Sequence, residues 1–169
     1  VTAVYMGEDS GATVYAASFV GDGSQLTGIT GSTSSLNDLT DVLVDSNSMF
    51  LGNPPTNSTG GYNTASGRNS LNSNTTGAEN TASGYKALYN NTEGDENTAS
   101  GAYSLYLNTT GSNNTAFGRE SLYSNTTGNS NTASGHKSLH YNTTGSDNTA
   151  SGRRSLYKNT TGIKNTASG

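Results

Sequence analysis

Residues 80–96 read Asn-Thr-Ala-Ser-Gly-Tyr-Lys-Ala-Leu-Tyr-Asn-Asn-Thr-Glu-Gly-Asp-Glu, and this stretch decides the fold because it repeats along the chain. Its opening motif, Asn-Thr-Ala-Ser-Gly, recurs every 17 residues, with Phe117 as the one departure inside the motif. The motif begins at Asn63, Asn80, Asn97, Asn114, Asn131, Asn148 and Asn165. Such a strict period is typical of solenoids and fibres, in which each repeat packs only against its neighbours.

We number the repeat positions 1–17 from the first Asn and name the six full copies coils 1–6, which begin at residues 63, 80, 97, 114, 131 and 148. Every coil has Ala at position 3, Leu at position 9 and Gly at positions 5 and 15. Two fixed glycines disfavour helix by about 1 kcal/mol each, whereas Asn-Thr-Thr-Gly is turn chemistry. Thr-Ala-Ser and Ser-Leu-Tyr alternate in polarity, so we predict two short strands and two turns in each coil.

These positions define the predicted core and turns. The expected inward side chains are Ala65, Leu71, Ala82, Leu88, Ala99, Leu105, Ala116, Leu122, Ala133, Leu139, Ala150 and Leu156. The expected turn glycines are Gly67, Gly77, Gly84, Gly94, Gly101, Gly111, Gly118, Gly128, Gly135, Gly145, Gly152 and Gly162. The sequence therefore predicts an all-β fold, a parallel β-solenoid or β-roll of 17-residue coils whose strands stack about 4.8 Å apart.

The composition favours a repetitive structural protein over an enzyme. Only 29% of the 169 residues are hydrophobic, whereas globular domains have roughly 45–50% apolar residues. Charged residues make up 12% and the net charge is −4, which excludes the dense basic charge of a nucleic-acid-binding protein. Cysteine is absent, and no apolar run is long enough to cross a membrane. We expect no enzymatic activity, no cofactor and no metal.

The predicted core is thin, because only one Ala and one Leu per coil point inward. Burial of a Leu contributes about 1.5–3 kcal/mol, so stacked Asn and Thr ladders and a partner chain should add to it. The Tyr residues at position 10 form a second, partly apolar column, made of Tyr89, Tyr106, Tyr123 and Tyr157. We therefore predict a homotrimer in which this column packs around a three-fold axis.

The charge distribution divides the chain into three segments. Residues 1–62 contain six acidic residues and no Lys or Arg, while all eight basic residues lie from Arg68 onward. We predict an acidic, β-rich neck or linker at residues 1–47, with short β-type runs at 2–6 and 13–17, and a flexible linker is the alternative. We expect residues 48–62 to be a degenerate capping coil, and residues 63–169 to be a repeat array that is a fragment of a longer chain.

Three stretches resemble known fibre proteins. Residues 80–92 resemble the short repeats of bacteriophage tail fibres, and residues 18–29 and 35–42 are similar to motifs in tail fibres of phages that infect cyanobacteria. The array is also similar to the heads of trimeric autotransporter adhesins. The resemblance implies a trimeric fibre segment that supports host attachment, located on a virion tail fibre or at the cell surface. The alternative is a bacterial trimeric adhesin or a self-assembling extracellular filament.

Positions 6 and 7 carry basic and aromatic residues that we single out as a candidate contact surface for host polysaccharide. The residues concerned are Arg68, Tyr85, Lys86, Arg119 and Arg153. The simpler interpretation is a solvated face that keeps the fibre soluble.

Other candidate sites favour structural interpretations. His136 and His140 are expected to be variable surface residues, and Asp38, Asp41 and Asp45 to be solvated acids and not a Ca²⁺ site. Glu93, Asp95 and Glu96 share one turn without a visible cleft for glycoside hydrolysis. The Asn-x-Ser/Thr sequons at Asn57, Asn74, Asn90, Asn108, Asn113, Asn125, Asn142 and Asn159 are expected to serve turn geometry. Ice binding is disfavoured because Thr75 and Thr76 are adjacent and point to opposite faces.

Overall fold

A computed structural model describes residues 42–45, 48–51 and 58–169 of the chain. Nine short strands form one sheet in chain order: β1 (Val42–Asp45), β2 (Ser48–Leu51), β3 (Thr64–Ser66), β4 (Thr81–Ser83), β5 (Thr98–Ser100), β6 (Thr115–Phe117), β7 (Thr132–Ser134), β8 (Thr149–Ser151) and β9 (Thr166–Ser168). Strands β1 and β2 are antiparallel, and β2–β9 are parallel. The predicted neck runs at 2–6 and 13–17 and the acidic residues Asp38 and Asp41 lie outside the described residues.

The repeat sets the register of the sheet, and the predicted parallel β-solenoid is confirmed. From β3 to β9, each strand pairs with the next at an offset of 17 residues, so that Thr, Ala and Ser lie beside Thr, Ala and Ser of the next coil, with Phe117 as the exception. Strand β2 pairs at a shorter offset, with Met49 opposite Thr64 and Phe50 opposite Ala65. The Ser48 hydroxyl accepts a hydrogen bond from the Asn63 backbone N–H over 2.8 Å, and Phe50 is only 2% exposed. Ser48 and Phe50 therefore cover the first coil of the array.

The prediction of a second strand in each coil is wrong. The Ser-Leu-Tyr segment is a series of turns, because positions 7 and 9 adopt left-handed backbone conformations, with φ of 48–50° at every Leu of position 9. The turn is closed within the coil, where the Gly67 carbonyl accepts from both the Ser70 N–H and the Ser70 hydroxyl. The Leu71 N–H still donates to the Ala87 carbonyl of the next coil over 3.0 Å. Hydrogen bonding between coils thus continues without a regular strand.

Apolar side chains at positions 3 and 9 form a continuous core. The position 3 Ala of coils 1–6 and the position 9 Leu of coils 1–5 are at most 1% exposed. Leu156 in coil 6 is partly buried and packs against them. Successive coils bring like side chains together, so one inward Ala and one inward Leu per repeat extend into two columns.

Asparagine fills much of the rest of the interior, so the predicted stacked Asn ladders are confirmed, although their burial in the core was not predicted. The position 12 side chains form a ladder in which the Nδ2 of coils 2–6 donates to the Oδ1 of the preceding coil, as from Asn108 to Asn91 over 2.7 Å. The same Nδ2 donates to the carbonyl of the position 15 Gly, over 2.8 Å from Asn108 to Gly111. The position 1 Asn residues form a second ladder, as from Asn114 to Asn97 over 3.2 Å. Among the described residues no buried side-chain nitrogen or oxygen lacks a partner.

The glycines permit this close stacking of coils. A Cβ at Gly111 would lie 2.5 Å from both Asn108 Oδ1 and the Gly128 carbonyl oxygen. Position 5 also needs a positive φ, which is 131° at Gly101. Close approach of the next coil thus requires Gly at both positions, and position 5 also requires it for its positive φ.

Candidate surface-contact site

Positions 6, 7 and 10 of successive coils lie along one flank of the array, and this flank contains the residues chosen as candidate contacts. Arg68, Arg119 and Arg153 are exposed, Tyr85 is 40% exposed and Lys86 is half-buried. The turns at positions 6–11 place these side chains, because the left-handed residue at position 7 redirects the backbone in every coil. Equivalent positions are held one above another by the hydrogen bonds between coils, such as Lys86 N–H to the Arg68 carbonyl.

The residues of position 10 form one stack of aromatic rings. Rings of Tyr89, Tyr106, Tyr123, His140 and Tyr157 follow one another with centroids 5.1–5.4 Å apart and planes inclined by 15–23°. His140 is only 8% exposed, and its Nδ1 lies 3.1 Å from the Glu120 backbone oxygen. The expectation that His140 is a variable surface residue is therefore wrong, because the ring continues the stack.

Lys86 lies against this stack. Its Nζ is 5.1 Å from the ring centroid of Tyr89, 5.5 Å from that of Tyr85 and 6.0 Å from that of Tyr106. Desolvation acts to lower the pKa of Lys86, but the neighbouring phenol groups outweigh it and hold the pKa above its ordinary value. Lys86 therefore stays charged and contributes a cation–π contact to the flank.

Glu120 connects two neighbouring coils through ion pairs. Its Oε1 lies 2.7 Å from an Arg119 guanidinium nitrogen, and its Oε2 lies 3.1 Å from Lys137 Nζ. Burial opposes ionisation of Glu120, but the hydrogen bond from Lys137 and the charges of Lys137 and Arg119 hold its pKa below the ordinary value. The carboxylate is accordingly ionised at neutral pH, although its side chain is only 13% exposed.

A cavity of about 380 Å³ opens on this flank and is lined by Tyr103, Glu120, Tyr123 and His140. The four residues come from coils 3, 4 and 5. The Tyr103 ring is tilted by 52° to the Tyr123 ring at a centroid distance of 6.4 Å, so the two rings diverge. The cavity thus combines aromatic surface, an imidazole and an ionised carboxylate.

Glu120 was not predicted as a site residue from the sequence, and His140 was predicted to lie at the surface. A signal was present, because Glu120 is the one acid at position 7 and His140 the one His at position 10 among the six coils. Of the predicted contacts, Tyr85 and Lys86 adjoin the aromatic stack and Arg119 adjoins Glu120. After desolvation and the charge of Lys137, the charge of Arg153 also contributes to the lowered pKa of His136. Arg68 lies at the other end of the flank, in coil 1.

The other candidate residues have structural surroundings. Asp95 Oδ1 accepts a hydrogen bond from the Ala78 backbone N–H over 2.8 Å, and Glu93 and Glu96 are exposed. In the part of the chain that the structure describes, no three His, Asp or Glu side chains gather into a metal-binding group. Nor does any helix within the described ranges have the length and apolarity to cross a bilayer.

Most sequons of the array lie at position 12, where the Asn side chain is turned inward. Asn74, Asn108, Asn125 and Asn142 are at most 2% exposed and donate to the position 15 Gly of their own coil. Asn159 is half-buried and makes the same bond. Asn113 is exposed, Asn90 is half-buried, and Asn57 is outside the described residues. The geometry of position 12 supports the structural interpretation of those sequons.

Comparison of the chain with protein-family models, curated proteins and solved structures found no match.

Proposed function

We propose that this chain is a spacer segment of an extracellular attachment fibre, the tail fibre of a bacteriophage, which extends and supports recognition of the host surface. The in-register stacking of nearly identical coils carries the proposal. Each added coil lengthens the array by about 4.8 Å without changing its cross-section, since every coil contacts only its neighbours. Length that depends on repeat number is what a spacer requires.

The stacked interior supports the same role. Backbone groups, Asn amides and Thr hydroxyls all bond from coil to coil, as in the 3.1 Å bond from Thr109 Oγ1 to the Thr126 carbonyl. An array in which every coil is bonded through its core and its turns resists bending. The proposal includes a homotrimer, in which the position 10 Tyr column faces the three-fold axis, and contact with surface polysaccharide through the basic and aromatic residues of positions 6 and 7.

A bacterial surface adhesin or filament would use the same geometry, so the location of the protein decides between them. Antibodies against residues 63–169 should label the tails of virions in electron micrographs. Labelling of the bacterial envelope in cells without phage would favour the adhesin. Labelling confined to the cell interior would contradict both.

A second candidate function, ice binding, is favoured by the outer face of the sheet. Position 2 Thr is exposed in β3–β9, and position 4 Ser is exposed in most of these strands. These Thr-x-Ser pairs lie on one face in register, unlike the Thr75 side chain, whose hydroxyl donates to the Thr92 carbonyl. Phe117 interrupts the array with a 60% exposed ring. Thermal hysteresis that is lost on Thr98→Tyr would support this function, and absence of hysteresis in the unaltered chain would exclude it.

A further inference from the structure

We propose that the cavity formed by Tyr103, Glu120, Tyr123 and His140 binds one hexuronate unit of an acidic polysaccharide. The inference rests on the proposed function, in which the flank of the fibre contacts surface polysaccharide. It goes further by assigning a single site, between coils 3 and 5, and a class of ligand.

The cavity has the size and walls for one sugar unit. Its volume of about 380 Å³ lies at the small end of the 300–1,000 Å³ that is usual for ligand sites. The negative face of an aromatic ring attracts the polarised C–H groups of a sugar, and Tyr103, which lies outside the position 10 stack, supplies this aromatic surface. Tyr123 presents its ring edge and hydroxyl, because Tyr106 and His140 stack on its two faces. A sugar ring lodged there would also meet the imidazole of His140.

The Glu120 carboxylate is held in place to accept hydrogen bonds from sugar hydroxyls. Arg119 engages one oxygen and Lys137 the other, which fixes the orientation of the carboxylate. Each carboxylate oxygen can accept two hydrogen bonds, so both retain capacity for a hydroxyl group. Glu120 is the only acid at a position that otherwise holds Asn, Lys, Tyr or Arg.

The charge around the cavity selects an anionic sugar. Arg119 and Lys137 together exceed the single negative charge of Glu120, and Arg153 adds a further positive charge beside His136. Desolvation and the charges of Lys137 and Arg153 lower the pKa of His136, as expected in a positive local field. Arg119 is 64% exposed and holds Glu120 through one guanidinium nitrogen, so its other N–H groups can pair with a ligand carboxylate.

Isothermal titration calorimetry of the 169-residue chain measures the binding of two acidic trisaccharides, trigalacturonate and trimannuronate. Galactotriose and mannotriose are their neutral counterparts. We expect at least one uronate to bind at least about tenfold more tightly than its neutral counterpart, and added salt to weaken binding. Saturation transfer from protein to sugar protons should locate the contact at aromatic side chains.

Two variants remove the cavity by restoring residues that other coils carry. Tyr103→Asn introduces the residue found at Asn69, and His140→Tyr completes the Tyr column, so both should fold. Each should weaken uronate binding at least about tenfold. The matched control, Asn72→Tyr, makes the same type of change at position 10 of coil 1, outside the cavity, and should leave binding unchanged.

Three results would overturn the assignment. These are no binding of either uronate, equal binding of uronate and neutral sugar, or equal losses in the cavity and control variants. Virion labelling with unaltered coil stacking would still support the fibre in those cases, so failure of the site is distinguishable from failure of the proposed function.

Discussion

At the scale of the residue, the inward Asn side chains determine stability, because each makes several buried hydrogen bonds. Asn108 Nδ2 donates to Asn91 and to Gly111, and its Oδ1 accepts from Asn125. Asn108→Asp replaces the donor with an oxygen that faces two acceptors. We expect the free energy of unfolding at pH 7 to fall by about 3 kcal/mol or more, measured by urea denaturation.

The control for this prediction is Asn113→Asp, which makes the same change at an exposed side chain. Its effect should lie within about 0.5 kcal/mol. Burial should raise the pKa of the new carboxyl at position 108 above about 3.9, so the stability of that variant is greater at low pH and is lost as the pH rises through the folded pKa. Equal losses in the two variants, independent of pH, would contradict the role of the ladder.

The left-handed residues at position 17 allow a stabilising substitution. Glu79 has φ of 57° and an exposed side chain, while Asn113 occupies the same position of coil 3 at φ of 60°. Asn tolerates this conformation better than other non-glycine residues, so Glu79→Asn should raise the free energy of unfolding by about 0.5–1 kcal/mol. Glu79→Gln removes the same charge without the conformational preference. A gain of equal size in both would assign the effect to charge.

At the scale of the element, the sequence was sufficient to predict the Thr-Ala-Ser strands and their register. The alternation of Thr and Ser around Ala matches one buried and two outward side chains in each strand. The same pattern gave a wrong prediction at Ser-Leu-Tyr. Leu rarely adopts a positive φ, and the alternation of polar and apolar residues in this segment does not indicate a turn. The buried Leu105 holds φ of 49° because the coil must turn there while keeping that side chain in the core.

The burial of the Asn ladders in the core and the cavity escaped prediction for a related reason. Asn at positions 1 and 12 is typical of turns, and only stacking of coils reveals that its side chain points inward. Glu120 and His140 were hidden by the assumption that positions varying between coils are solvent-facing. In a near-identical array, a departure from the repeat identifies a coil with different contacts.

Deletion of one whole coil tests whether the 17-residue coil is the unit of stability in the array. Removal of residues 80–96 joins position 17 of coil 1 to position 1 of coil 3, so every Asn, Leu and Gly column stays aligned. We expect the shortened chain to unfold in one cooperative transition, with stability reduced by about one coil's contribution. Removal of residues 80–95 leaves one extra residue at the junction and interrupts the columns there. That variant should unfold in two transitions or at a much lower urea concentration, monitored by circular dichroism.

At the scale of the whole molecule, the satisfied interior changes the argument for a trimer. A thin core was the reason to expect partner chains, yet hydrogen-bonded Asn and Ser fill the space that apolar side chains leave in the described coils. The remaining reason to expect a trimer is the column of half-buried Tyr rings, including Tyr89, Tyr106 and Tyr123. Stacking covers the ring faces within one chain and leaves ring edges and hydroxyls for contact with another.

If three such columns pack together, association and stability must be linked. We expect a mass of three chains by sedimentation velocity and a thermal midpoint that rises with protein concentration, since dilution favours the separated chains. Tyr89→Asn with Tyr106→Asn introduces the residue that position 10 carries in coil 1, as Asn72, and should shift the trimer to monomer. Phe117→Ser changes an exposed ring on the outward face of the sheet and should leave the mass unchanged, because position 4 is not part of the Tyr column. A mass of one chain at every concentration would make the single solenoid the working unit, with its Asn ladders, apolar columns and backbone hydrogen bonds sufficient to hold the coils together.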